Sequence, residues 1–339
     1  MLDSNHLYKE HEIKYSSGEK DYIIYHLKSN EVEGCNFDCL VNVPIGIGNN
    51  ARIVMKCHNT GSPSIDTKQG VEENILIAED SIEGSFKYLD GQSSILVVPL
   101  IIQRPDGEYY QQLTRKALLD KTPGFERVDV QIVNAINSIK KLLRDEDGLE
   151  IKEKIDLVGF SAAGSFAQRF MFLHPEIVRA IYAGGSMDGI PLPVAEINGQ
   201  KLHYPLGLSD YKEITGHEFN LHAYKSIAMR FSYGAKEKEQ ISNHCFDEYG
   251  NPVSNFDMSY IRSITPETDG LIMRKIIGKT PEERFRKTIE VYRLFGIDIE
   301  ASIYPDLGHR ESMESIDAAK RFFRRVNEKE ESIHSLDEI

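Results

Sequence analysis

The stretch IDLVGFSAAGSFAQRF, residues 155–170, changes character in the middle. An apolar run ends in Gly159-Phe160-Ser161-Ala162-Ala163-Gly164, and Phe166, Phe170 and Leu173 then recur at helical spacing. A short apolar run reads as a strand buried on both faces, and the spacing that follows as an amphipathic helix. Strand and helix approach closely at such a turn, so its flanking residues must be small. A serine placed there is held on a sharp, strained backbone with its hydroxyl projecting above the sheet. The helix N-terminus behind it lends partial positive charge to a developing oxyanion. Ser161 is therefore the candidate nucleophile. The usual pattern is G-x-S-x-G; here Ala163 stands at the second glycine's place and Gly164 comes next.

On both sides of this turn the pattern predicts strands and helices in alternation. Strands are expected at 22–27, 37–43, 52–57, 94–101, 154–160, 179–183, 227–233 and 299–304. The turn PIGIGNN, residues 44–50, reads as a hairpin joining the second and third of these. Val128, Ile132, Ala135, Ile136, Ile139 and Leu143 fall on one face of a helix over 128–143, and a second helix covers 164–174. Thr280-Pro281-Glu282-Glu283 is a capping box with proline at the first helical position; its helix runs to Phe295 and stops at Gly296. A last helix is expected over 312–326, with a frayed tail after it. Antiparallel strands followed by βα repeats predict an α/β fold: a mostly parallel central sheet with helices on both faces, in one domain spanning 1–339. Segments 187–220 and 238–278 interrupt the alternation and are longer than ordinary connections, so they are candidate lids. Leu206, Tyr211 and Phe219 in the first of them are expected to line a substrate pocket.

A serine nucleophile needs a base, and on this architecture the base follows the last strand. Of the 11 histidines, His309 in IYPDLGHR (residues 303–310) has that place. His58 precedes Ser161 in the chain, and His174 reads as a helix terminator. An acid must orient the imidazole, and it belongs just beyond the preceding strand. Glu237 is at that distance, with Glu239, Asp247 and, one strand earlier, Asp188 as rivals. The oxyanion requires backbone donors: the N–H of Ala162, with that of Asn59 or Thr60 in the turn after 52–57.

In the order Ser161, Glu237, His309 the chain resembles the α/β-hydrolase superfamily, and the bacterial esterase-like members in particular. The segment LHYPLGLSDYKEITGHEFNLHAYKSIAMRFSYG and the loop IYPDLGH are similar to their regions around the acid and the histidine. The resemblance covers roughly 22–326. It implies a sheet of about eight strands with inserted cap segments, and a serine nucleophile that forms an acyl-enzyme without a cofactor. Ala163 for glycine, a glutamate for the commoner aspartate, and HNTG where HG is usual are departures from that pattern. The expected chemistry is hydrolysis of small-molecule carboxylic esters; the alternatives are a thioesterase or amidase, and a non-catalytic binding protein with this fold.

The net charge of −13 argues against nucleic acid or an anionic membrane as partner. No apolar leader opens the sequence and no apolar run reaches the roughly 20 residues of a membrane span. Cys35, Cys39, Cys57 and Cys245 suggest reduced thiols and, with these features, a cytoplasmic protein, with the oligomeric state left open. Gly46-Ile47-Gly48 mimics a dinucleotide fingerprint but opens no helix. His217 and His222 are five apart, one too many for a zinc pair on a helix face. No metal is expected.

Overall fold

Leu96 and Val98 of the run SILVVP pack on one side of a sheet and Ile95 and Val97 on the other, so the run is buried on both faces. That double burial sets the architecture. In the computed structural model, which describes residues 13–17, 20–59, 88, 94–101, 110–186, 190–237 and 273–337, the strands in chain order begin with β1 (Ile13–Ser17), β2 (Lys20–Leu27) and β3 (Cys39–Pro44). Then come β4 (Arg52–Met55), β5 (Ser94–Pro99), β6 (Ile155–Phe160) and β7 (Val178–Gly184). The short β8 (Glu196–Ile197) and β9 (Gln200–Lys201) pair only with each other, and β10 (Ala228–Gly234) and β11 (Ile299–Tyr304) complete the set. Among the described residues the main sheet has nine strands in the order β1-β2-β3-β5-β4-β6-β7-β10-β11. Pairing is antiparallel from β1 to β5 and parallel from β5 through β11.

All eight expected strands are present, and β1 is an addition at the sheet edge. Its sequence, IKYSS, has a single aliphatic residue and gave no strand signal. The expected hairpin between β3 and β4 is not formed. The 44–50 turn does reverse the chain, but the place beside β3 is taken by β5, which pairs with β3 on one side and β4 on the other. A glycine-rich turn fixes a reversal, whereas the neighbour is chosen by which strands best fill both faces.

The helices are α1 (Arg115–Leu119), α2 (Val128–Asp147), α3 (Ala162–Leu173), α4 (Tyr211–Thr215), α5 (Leu221–Lys225), α6 (Pro281–Leu294) and α7 (Met313–Asp337). The apolar stripe of α2 is buried as its spacing predicts, and with α3 it covers one face of the sheet. Ala319, Phe322 and Phe323 of α7 cover the other, against Leu40, Val54, Leu96, Val158 and Ala180. The capping box of α6 forms: Thr280 Oγ1 accepts from the Glu283 N–H and Glu283 Oε2 from the Thr280 N–H, each at 3.2 Å. The final helix runs past 326 to Asp337 and is not frayed at 332. Its Glu330 binds Arg52 at 2.7 Å, Lys152 at 2.8 Å and Arg179 at 2.7 Å, at the end of the sheet away from Ser161.

The part of 187–220 that is described, from Ile190 on, joins the main core through Leu192, Leu202, Tyr204, Leu206, Tyr211 and Ile214. Of 238–278, residues 238–272 lie outside the described residues, as do Asp188, Glu239, Asp247, Thr60 and Cys245. No helix among the described residues is long and apolar enough to cross a membrane.

Candidate active site

β6 ends at Phe160 and α3 begins at Ala162, leaving one residue for the whole turn. Ser161 takes φ 62° and ψ −125°, a backbone conformation that L residues adopt rarely and at a cost of about 1–3 kcal/mol. The bend is tight enough that a Cβ on Gly159 would sit 2.2 Å from the Ala163 carbonyl oxygen. A Cβ on Gly164 would meet Ser186 Oγ at 2.6 Å and the Gly184 carbonyl at 2.8 Å. The demand for glycine therefore falls on 159 and 164. Ala163 is fully buried at this turn. The Ser161 N–H donates to the Gly184 carbonyl at 2.9 Å, which ties the strained residue to the end of β7.

Three groups widely spaced in sequence meet at this turn. His309 lies in the loop between β11 and α7, and its Nε2 is 2.8 Å from Ser161 Oγ. Its Nδ1 is 3.3 Å from Glu237 Oε2, beyond the end of β10. The other carboxylate oxygen, Oε1, accepts the Gly234 N–H at 2.9 Å, so Glu237 is anchored to the strand it follows. Glu237 is 6% exposed, although the surrounding sequence KEKE reads as a solvated run. The loop carrying His309 is held at the tip of β10: Lys236 N–H donates to the Leu307 carbonyl at 2.9 Å and Ala235 N–H to that of Tyr304 at 3.0 Å. The ring of Phe160 tilts against the imidazole with centroids 5.0 Å apart. With Nδ1–H donated to the carboxylate, Nε2 presents its lone pair to the serine hydroxyl; the tautomer is inferred from this network.

The strand order with β4 and β5 exchanged, the strained serine after β6, and acid and histidine after β10 and β11 occur together. This is the α/β-hydrolase fold. No protein-family model matches the sequence, and no curated protein matches it. Solved structures similar to this chain include a poly(3-hydroxybutyrate) depolymerase from Bordetella parapertussis (14% identity, TM-score 0.47, 93% of this chain and 90% of that one). An S-formylglutathione hydrolase from Agrobacterium tumefaciens aligns at 10% identity and TM-score 0.45, over 93% of this chain and 98% of its own. A ferulic acid esterase from Anaeromyces mucronatus aligns at 14% and 0.44, over 93% of each.

Of the expected oxyanion donors, Ala162 opens α3 beside Ser161. Asn59 is at the turn too, in a way the sequence did not suggest: its side-chain Oδ1 accepts the Ala163 N–H at 2.9 Å. Asparagine is a common helix cap, but capping from residues this distant in sequence leaves no local signal. His58 does not compete for the serine. It is buried, its Nε2 bonds the Ile101 carbonyl at 3.0 Å, and burial, partly offset by that bond, pulls its pKa down to about 4.

Tyr211 and Phe219 are not brought to Ser161, which corrects the expected pocket. The Tyr211 hydroxyl donates to the Leu173 carbonyl at 3.0 Å, and the Phe219 ring packs on Phe172 at 4.9 Å. Both contacts are at the C-terminal end of α3, about 16 Å along the helix axis from the serine. There the two residues line a separate cavity of about 780 Å³ with Pro193, Leu208 and Glu213. Leu206 is buried at 4% exposed, its carbonyl bonded to the Leu192 N–H at 2.9 Å. Tyr211 belongs to the main core and Phe219 packs against it. His174, read as a helix terminator, also pairs with buried Asp129, Nε2 to Oδ2 at 2.9 Å. Among the described residues no cluster of three His, Cys, Asp or Glu could hold a metal ion.

Proposed function

We propose that the protein is a serine hydrolase that cleaves carboxylic esters of small molecules through an acyl-enzyme. The observation that carries this reading is the contact of His309 Nε2 with Ser161 Oγ at 2.8 Å, on a serine held at φ 62°. His309 takes the hydroxyl proton as Oγ attacks the ester carbonyl, and gives it to the departing alcohol. Glu237 selects the productive tautomer and stabilises the imidazolium. The N–H of Ala162, with a backbone donor from Asn59 or Thr60, accommodates the negative oxygen of the tetrahedral intermediate. Water then repeats the attack on the acyl-enzyme, with His309 again as base. Esters come first because they need only nucleophile, base and oxyanion donors, with no cofactor and no metal. A fluorophosphonate probe tests the reading, since only an activated serine is phosphonylated. The parent chain should label and Ser161→Ala should not, while the variant keeps its fold and loses ester hydrolysis by several orders of magnitude. A well-folded S161A with near-normal turnover would place the nucleophile elsewhere.

A further inference from the structure

Two residues beyond His309, a carboxylate is bonded to the hydroxyls of two buried tyrosines. Glu311 Oε1 accepts hydrogen bonds from Tyr88 Oη and, at 3.5 Å, from Tyr182 Oη. Both tyrosines are 0% exposed, with rings tilted on each other and centroids 5.2 Å apart. Burial first and the Glu311 charge second push both phenols above their ordinary pKa, so they remain protonated donors. The Tyr182 hydroxyl also shares a hydrogen bond with Ser232 of β10 at 3.1 Å.

The location of Tyr182 gives this cluster its meaning. It lies on β7, two residues before Gly184, whose carbonyl holds the Ser161 N–H. On its N-terminal side the histidine loop is fastened to the tip of β10, the element that carries Glu237. On its C-terminal side Glu311 fastens it to β7, the strand that holds the serine. His309 hangs between these two anchors. The first relates the imidazole to the acid, and the second relates it to Ser161.

Resting on the reading of Ser161 and His309 as nucleophile and base, we infer that Glu311 is a positioning residue that sets the distance between them through Tyr182 and Tyr88. It acts by fixing the chain that carries His309. Removing the carboxylate takes away the acceptor that the two hydroxyls share and releases one end of the loop. Misplacing a reacting group by about 1 Å lowers turnover by about 10²-fold, without loss of ground-state substrate binding.

The test compares the parent chain with Glu311→Ala, Glu311→Gln, Tyr182→Phe and Tyr88→Phe. The readouts are kcat and KM on p-nitrophenyl acetate, the rate of fluorophosphonate labelling, and Tm. E311A should lower kcat by about 30–100-fold with KM within about twofold, and labelling should slow in parallel. E311Q should recover most of the loss, because its amide oxygen still accepts from both hydroxyls. Y182F and Y88F should each fall between E311A and the parent. A folded E311A with kcat within threefold of the parent overturns the inference, as does a lowered Tm with kcat unchanged. If E311A does not fold, Y182F decides, and parental kcat in that variant overturns it. A parent chain that does not label at all overturns the nucleophile reading instead, and is distinguished by being independent of every variant.

Discussion

Replacing Glu237 by glutamine keeps its shape and removes its charge, and the surrounding bonds specify what happens next. Oε1 accepts from the Gly234 N–H at 2.9 Å, so the glutamine oxygen is held there and its amide –NH₂ faces His309 Nδ1. A donor in that place favours the tautomer with its proton on Nε2, directed at Ser161, where a base must instead present a lone pair. The imidazolium also loses its counter-charge. At the observed 3.3 Å, and an effective dielectric constant of about 20, that attraction amounts to about 5 kcal/mol, or between three and four orders of magnitude in rate. The imidazole is 19% exposed, and water screening about half of the attraction would bring the loss to about 10². E237Q should therefore lower kcat for p-nitrophenyl acetate at pH 7 by about 10²–10⁴-fold, with KM little changed. Steady-state kinetics on the variant, beside Asp188→Asn as control, makes the measurement. E237Q within threefold of the parent would refute the assignment, and a crippled D188N beside it would move the acid to the earlier position.

Other outcomes follow from the bonds around the site. Gly159→Ala puts a methyl group 2.2 Å from the Ala163 carbonyl oxygen, so the turn carrying Ser161 must shift; a loss of about 3 kcal/mol in urea unfolding, together with lost activity, is expected. Burial pulls the His174 pKa down, but its bonds to Asp129 and Glu176 outweigh this and raise it above 6.5. Its contribution to stability is fully present below pH 6.5 and is lost as pH rises through the raised value; His174→Gln should flatten that decline in unfolding measured from pH 5 to 9. Burial raises and the bonds of Lys152 and Arg179 more strongly lower the Glu330 pKa, to about 2, so its contribution is present above 4.5 and lost as pH falls toward 2. Glu330→Ala should cost about 2 kcal/mol at pH 7 and lose that acid-range dependence, because Arg52 stays nearly buried without its carboxylate partner.

The turn at Ser161 was legible because three signals coincide in residues 155–170: a strand-like run, glycines where backbones touch, and helical spacing at once afterwards. His309 and Glu237 were legible by position, since a parallel sheet brings the C-terminal ends of its strands to one edge and the loops there become neighbours. What stayed hidden depends on contacts distant in sequence. That β5 separates β3 from β4 is decided by how doubly buried strands share the interior, and no turn residue reports it. Tyr211 and Phe219 looked like pocket residues because aromatic side chains serve a core and a binding site equally well. The reach of α7 to Asp337 could not be read from a polar tail, because the cations that hold Glu330 come from β4, β7 and the segment before β6.

The last helix has a consequence for how the protein is made. A chain emerges from the ribosome N-terminus first, and its early segments are available for folding before its late ones. Here Leu40, Val54, Leu96 and Val158 on one face of the sheet pack with Ala319, Phe322 and Phe323, which are synthesised after every described strand. Arg52 likewise awaits Glu330, whereas Arg179 already has Asp156 of β6. The growing polypeptide therefore carries an oily surface and an under-neutralised Arg52 until α7 has been made. A message truncated before the codon for Phe322 yields a sticky, open sheet.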